Sequence, residues 1–172
     1  MSIYGHFYPD YSFEKVNDID VMAMKNKGIR LVLLDIDNTL VPYTSPEPDE
    51  NAFAFLRKLK ENNINFAFVS NNGRERVDRF NKNIGADFVY KAKKPLLYGI
   101  NKMMRLHGVK KEQTALIGDQ IFTDIWGGKR AGITTYLVCP IKEVDTLFFR
   151  FKRYYEKKVI KSYNKYFNKG EC

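Results

Sequence analysis

The chain has 172 residues, 44% apolar and 28% charged, the make-up of one folded domain with its own core rather than of a disordered chain. No apolar run reaches the roughly 18 residues a spanning helix needs, and the opening MSIYGHFYPD lacks the basic and apolar regions of a secretion signal. The net charge of +9, from 29 basic and 20 acidic residues, is concentrated near the C-terminus: Phe148 to Lys169 holds eight basic residues and one acid, so the remainder is nearly neutral. Two cysteines, Cys139 and Cys172, do not make a disulfide framework or a zinc site by themselves, so a reducing cytoplasm is the expected compartment.

In chain order, the first thirty residues read as a loop, FYPDYS, and a short helix over Ile19 to Asn26. LVLLD, ending at Asp35, is too short for a helix and reads as a buried strand. Apolar residues at Phe53, Leu56 and Leu59 predict a helix over Asn51 to Asn62. FAFV, 66–69, is a second strand, ending at Ser70-Asn71-Asn72. Glu75 to Lys82 is a short amphipathic helix with Gly85 as its terminator. DFVY, 87–90, is a weaker strand. Pro95 to Leu106 is a helix with proline in its first turn. TALI, 114–117, is a strand ending at Gly118-Asp119. Thr123 to Ala131 is a helix stopped by Gly132, and ITTYLV, 133–138, is the last strand. This alternation predicts an α/β protein: a Rossmann-like, doubly wound parallel sheet with helices on both faces. One domain over 1–145, with 1–30 as an extension packed on it, is followed by a basic amphipathic helix over 146–172.

Open parallel sheets bind ligands beyond the carboxyl ends of their strands. Asp35 and Asp37 stand after the first strand, Ser70, Asn71 and Asn72 after the second, Lys93 and Lys94 before a helix, and Asp119, Thr123 and Asp124 after TALIG. Each has an ordinary explanation when read singly: acids at strand ends cap helices, Ser-Asn-Asn makes turns, and lysines are solvated. Together they bring carboxylates, a hydroxyl and an ammonium to one edge. Clustered carboxylates call for a hard cation, since every ligand on offer is oxygen, and magnesium suits it best. Magnesium beside a lysine and a hydroxyl makes a phosphate pocket. His6 and His107 have no partner at metal spacing. Asn38 and Thr39 read as residues that shape the backbone. Neither a dinucleotide-type nor an ATP-type glycine loop is present.

DxDNT, a serine after the second strand, a lysine before a helix and GDxxxTD, in that order, resemble the four motifs of the haloacid dehalogenase-like superfamily. DIDNTLVPYTSPEPDENAF, Lys94-Pro95 and GDQxxTD are similar to the YqeG-like branch of its capless phosphatases, a branch related to mitochondrial phosphatidylglycerophosphate phosphatases. The resemblance covers roughly residues 8 to 140. It implies a core without a cap domain, with Asp35 as nucleophile forming an aspartyl-phosphate. Asp37 is then general acid and base, with its backbone carbonyl on the magnesium. Asp35 and Asp119 hold the metal, and Asp124, with Thr123, supports it or orients the lysine. Ser70 and Asn71 bind phosphate. Lys94, preferred to Lys93 because it precedes the proline as in the family, contacts phosphate and Asp35.

The motif spacings leave no room for a cap; VPYTSPEP, 41–48, makes a short flap. An uncovered site suits a bulky substrate, and the resemblance points to phosphatidylglycerophosphate at the inner face of the membrane. A nucleic acid end or a soluble sugar phosphate is the alternative substrate, and a binding protein with a vestigial site the alternative without turnover. In the tail, Phe148, Phe151, Tyr155, Val159 and Tyr163 recur at helical steps between basic residues. Three expectations compete: a membrane-surface helix using Phe148, Phe151, Arg150, Lys152, Arg153, Lys157, Lys158 and Lys161, a nucleic-acid contact, or packing on the domain's own core. The first gives a cytoplasmic protein peripheral to the inner membrane face.

Overall fold

The computed structural model describes residues 4–142 and 147–167, with side chains over 4–142 and 154–166. Six parallel strands form one sheet: β1 (Tyr11–Phe13), β2 (Leu31–Leu34), β3 (Asn65–Val69), β4 (Asp87–Val89), β5 (Thr114–Gly118) and β6 (Thr134–Val138), in the order β1-β6-β5-β2-β3-β4. The helices are α1 (Val21–Asn26), α2 (Glu50–Glu61), α3 (Arg74–Asn81), α4 (Tyr98–Leu106), α5 (Trp126–Ala131) and α6 (Leu147–Phe167).

The central strands are apolar throughout because both faces of a parallel sheet are covered. On β2, Val32 and Leu34 point into one core with Phe66, Phe68, Phe55, Leu59, Val77 and Phe80, under α2 and α3. Leu31 and Leu33 point to the other face, with Ala67, Val69, Ile100 and Met103, under α4. Asp20 and Asp49 cap α1 and α2 by accepting from the N–H groups of Ala23 and Ala52. Gly132, at φ 70°, ends α5 in the left-handed conformation that glycine adopts without strain.

Three sequence expectations change. FYPDYS is not all loop: Tyr11–Phe13 pairs with Tyr136–Val138 and adds an edge strand, with Tyr11 stacked on Tyr136 at 4.8 Å between ring centroids. Three residues after a proline carry too little periodicity to signal this; the neighbouring strand supplies it. Pro95 lies in a turn, and α4 starts at Tyr98. The helix expected from Thr123 is in two pieces, a π turn over Ile121–Ile125 and then α5. Of the two cysteines, Cys139 lies just past β6 and Cys172 lies outside the described residues.

The described part of the tail gives the membrane expectation no support. Val159 and Tyr163 are buried, in a cluster with Tyr8, Ile121, Ile125 and Leu137. The Tyr8 and Tyr163 rings meet edge to face at 5.6 Å, and the Tyr8 and Ser162 hydroxyls share a hydrogen bond of 2.6 Å. Glu156 is buried as well. The apolar stripe of the helix's second half therefore faces the domain's own core, and a membrane-binding role is not supported. Lys157, Lys158 and Lys161 lie on the exposed side, with Lys158 over the Tyr154 ring. Phe148, Phe151, Arg150, Lys152 and Arg153, and the boundary at 145–146, fall outside the residues and side chains described. Among the described residues no helix is long and apolar enough to cross a membrane.

Candidate active site

β2 leads to β3 and β4 on one side, while β5 and β6 return on the other. The reversal of strand order between β2 and β5 opens a crevice at their carboxyl ends, the place where open α/β sheets bind ligands. Asp35 follows β2, its N–H donating to Ile117 on β5 at 3.0 Å, and Asp119 follows β5. Ser70 follows β3. Backbone bonds from Ala92 to Ser70 (2.9 Å) and from Lys91 to Asn72 (2.8 Å) draw the lysine loop alongside.

The lysine expected at the site is Lys94; Lys93 is exposed. The Lys94 ammonium lies 2.7 Å from Asp35 Oδ1 and 2.7 Å from Asp124 Oδ1, all three groups buried. Asp35, Asp119 and Asp124 offer carboxylate oxygens within 4.8 Å of one another. Three carboxylates against one ammonium leave two negative charges uncompensated by this cluster. Burying such charge is costly unless a cation joins it. The donors are all oxygen, so the residues present fit a hard divalent ion.

Burial, opposed by Lys94 and reinforced by Asp124 and Asp119, pushes the Asp35 carboxyl up to about 8 in the absence of a metal. Burial alone would lower the Lys94 ammonium; Asp124 and then Asp35 outweigh it and hold Lys94 above its ordinary value.

The π turn explains how Asp124 reaches this cluster. The N–H groups of Asp124 and Ile125 both bond the Gln120 carbonyl, at 2.9 and 3.2 Å, and Asp124 Oδ2 accepts from the Gln120 N–H at 3.1 Å. The carboxylate folds back onto Gly118, where an added Cβ would stand 2.3 Å from Asp124 Cγ. Single π turns recur at functional sites.

The other expected residues sort as follows. The Ser70 hydroxyl accepts from the Asn72 N–H at 3.1 Å and is buried, which orients it and leaves its own proton for a ligand oxygen. The Asn71 carboxamide is committed to the lysine loop: Oδ1 accepts from the Lys94 N–H at 2.7 Å and Nδ2 donates to the Lys94 carbonyl at 3.1 Å. An amide that bridges both backbone groups of Lys94 positions the lysine loop, so any contact of Asn71 with phosphate falls to its backbone N–H. The Thr123 hydroxyl bonds Gln120 at 3.2 Å, supporting the π turn rather than the carboxylates. Thr39 donates to Asp35 Oδ2 at 3.5 Å, and Asn38, at φ 62°, shapes the turn. His107 lies 3.3 Å from Asp87 at the amino edge of the sheet, away from the site.

Asp37 is buried but stands apart from the acidic trio. Its Oδ1 receives Arg76 Nε and Nη2 at 3.1 and 2.9 Å, and its Oδ2 receives Asn72 Nδ2 at 2.6 Å. Arg76 is absent from the expected site. In the sequence it is one of three arginines in RERVDRF, and the available signal is that the first turn and a half of a helix following a strand end faces the ligand crevice.

A curated protein of Bacillus subtilis (strain 168), described as probable phosphatase YqeG, is 34% identical over 154 residues, covering 90% of each chain. The family model for haloacid dehalogenase-like hydrolases matches residues 43–138. The chain belongs to the haloacid dehalogenase-like hydrolase family. Its membership makes it an enzyme, of the phosphatase kind to which the Bacillus relative is ascribed. The family model's match opens after Asp35 and Asp37, so the reading of those two rests on the geometry. Another family relative by sequence, described as pyrophosphatase PpaX from Halalkalibacterium halodurans, is 32% identical over 101 residues, 54% of this chain and 46% of that one. Among solved structures, a 4-nitrophenylphosphatase from Thermotoga maritima shares the fold with a TM-score of 0.57 at 17% identity, covering 74% of this chain and 90% of that one. An uncharacterised protein from Listeria monocytogenes serotype 4b does so with a TM-score of 0.54 at 23% identity, over 69% and 85%.

Proposed function

We propose that the chain is a magnesium-dependent phosphomonoesterase working through an aspartyl-phosphate on Asp35. The observation that carries this reading is the Lys94 ammonium at 2.7 Å from both Asp35 and Asp124, inside a buried trio of carboxylates. An oxygen of Asp35 attacks phosphorus as the bond to the leaving oxygen breaks. Asp37 gives its proton to that oxygen, then takes one from the water that cleaves the Asp35–phosphate bond. Lys94 and the Ser70 hydroxyl neutralise and orient the phosphate oxygens, while Asp124 anchors Lys94. Asp35 and Asp119, together with the Asp37 carbonyl, would hold the ion. Bound magnesium would offset the repulsion between a carboxylate and a phosphate dianion.

For the substrate, phosphatidylglycerophosphate remains the reading of choice. Support comes from the uncapped crevice, bordered by the short flap with Tyr43 exposed on it, and from the likeness that runs the length of the relative. The packed tail removes the independent argument from a membrane helix, so the lipid reading rests on the open rim. The test is phosphate release, with magnesium, from phosphatidylglycerophosphate in mixed micelles, a phosphorylated oligonucleotide, sugar phosphates and 4-nitrophenyl phosphate. Turnover of the aryl ester and preference for the lipid are expected. Preference for a soluble ester replaces the substrate assignment, and release from none of them by the folded protein overturns the phosphomonoesterase reading.

A further inference from the structure

Arg76 belongs to none of the residue patterns that mark the site, yet it makes four hydrogen bonds there. Besides the two to Asp37 Oδ1, Nη1 donates to the Pro46 carbonyl at 2.9 Å and Nη2 to the Ser45 carbonyl at 2.8 Å. Its side chain is 19% exposed, and its guanidinium carbon lies 5.6 Å from the centre of the Phe80 ring. One planar group thus joins α3, the flap and Asp37. Lysine could not reproduce this, since a fork of fixed N–H directions is needed to meet one carboxylate oxygen and two carbonyls together.

The two oxygens of Asp37 are held unequally. Oδ1 carries both bonds from the guanidinium cation, while Oδ2 carries one bond, from the neutral carboxamide of Asn72. The single neutral donor is the partner that an arriving ligand can replace without removing the counter-charge. Resting on the phosphomonoesterase reading, we propose that Arg76 is a positioning residue for Asp37. It fixes the carboxyl group through Oδ1 and locks it to the flap, so that Oδ2 serves the leaving oxygen, with Asn72 holding its place until substrate arrives. The leaving group therefore enters between the flap and Asp37, and the register of the flap sets the position of the proton donor.

This role makes a demand that a purely structural arginine would not. Proton donation matters most when the leaving oxygen is a poor leaving group. An alkyl phosphate must have its alkoxide protonated as the bond breaks; 4-nitrophenoxide leaves without that help. The experiment uses the full chain with magnesium and compares 4-nitrophenyl phosphate with glycerol phosphate for wild type, Arg76→Ala, Arg76→Lys and Asp37→Asn, plus the Arg76→Ala/Asp37→Asn double variant. Misplacing the proton donor should lower kcat/KM for the alkyl ester, which reports transfer to Asp35, by on the order of 10- to 100-fold, a part of what general acid catalysis supplies. The same ratio for the aryl ester should fall by less than about threefold, because it excludes hydrolysis of the Asp35 phosphate, where Asp37 serves as base for either ester. Arg76→Lys should restore part of the loss by returning the charge and one bond. In the Asp37→Asn background Arg76→Ala should add nothing, because residues acting through one group are not additive. Equal losses in kcat/KM on both esters, or losses that add to those of Asp37→Asn, overturn the proposal. Wild-type protein releasing phosphate from neither ester defeats the underlying reading instead, and is told apart because it requires no variant.

Discussion

Asp35 and Asp37 stand two residues apart at one strand end and are equally buried, yet their surroundings differ in kind. Asp35 shares a buried pocket with two further carboxylates and one ammonium, a cluster that is negative by two charges when all four groups are ionised. Asp37 is matched by Arg76 one to one and finished by a neutral amide. The first arrangement is incomplete without a cation; the second is complete as it stands. The same residue type is thereby assigned two tasks by its neighbours: a nucleophile whose charge awaits an ion, and a proton carrier held in place by a fork.

Removing the ammonium is the most severe way to disturb this contrast. Lys94→Ala leaves three carboxylates buried together, and losing one member of a buried ion pair costs about 3–5 kcal/mol. The variant should unfold at markedly lower urea than wild type, regain stability with magnesium and show no phosphatase activity. An unchanged midpoint would mean the pocket is already neutral by protonation.

The tail offers a second comparison, because it packs on Ile121 and Ile125 of the π turn rather than on either aspartate. Tyr163→Ala removes a fully buried ring packed on Tyr8, and large aromatic truncations cost about 3–5 kcal/mol. Thermal unfolding should move down, while the kcat for 4-nitrophenyl phosphate measured well below the transition should change far less than in Lys94→Ala. Wild-type stability would show that α6 does not dock as described.

Gly118→Ala sharpens the inner pocket. The added carbon overlaps Asp124, and the resulting strain should cost about 1–3 kcal/mol. Asp124 would move off Lys94, so magnesium affinity and turnover should fall together, while an alanine at exposed Gly73 should change neither.

The smallest effect is in the pH dependence. Asp35 is raised from 3.8 to about 8 in the metal-free protein. Between those values the folded state binds a proton that the unfolded state does not, so this group's contribution to stability is full below pH 3.8 and is lost as pH rises through about 8. A metal competes with that proton. The rise in Tm produced by a fixed magnesium concentration should therefore grow from pH 6 to pH 8.5 in wild type and be flatter in Asp35→Asn. A shift independent of pH would place the ion elsewhere.

Legibility in the sequence follows how each feature is encoded. The inner pocket could be read because acids stand directly after apolar strands, where a polar residue has few other reasons to be, and because Lys94 precedes a proline. The sheet was legible for the same reason, apart from β1, whose three residues depend on β6 for their pairing. Arg76 was hidden because a charged residue on a short helix reads as solvated until the flap is seen to fold over it. Asn71 was legible as a strand-end residue, but its partner, the backbone of Lys94, is 23 positions away. In the tail, the spacing of Val159 and Tyr163 predicted a covered face; periodicity says that a surface is covered and not by what, and Tyr8 and Leu137 supply the cover.

The central claim is that Asp35, not Asp37, receives the phosphoryl group. Acid quenching of wild type during steady turnover with magnesium, followed by peptide mapping by mass spectrometry, tests it directly. The account predicts a phosphoryl group on Asp35, absent from Asp35→Asn and retained by Asp37→Asn. A phosphoryl group found on Asp37, or full turnover by Asp35→Asn, would contradict it.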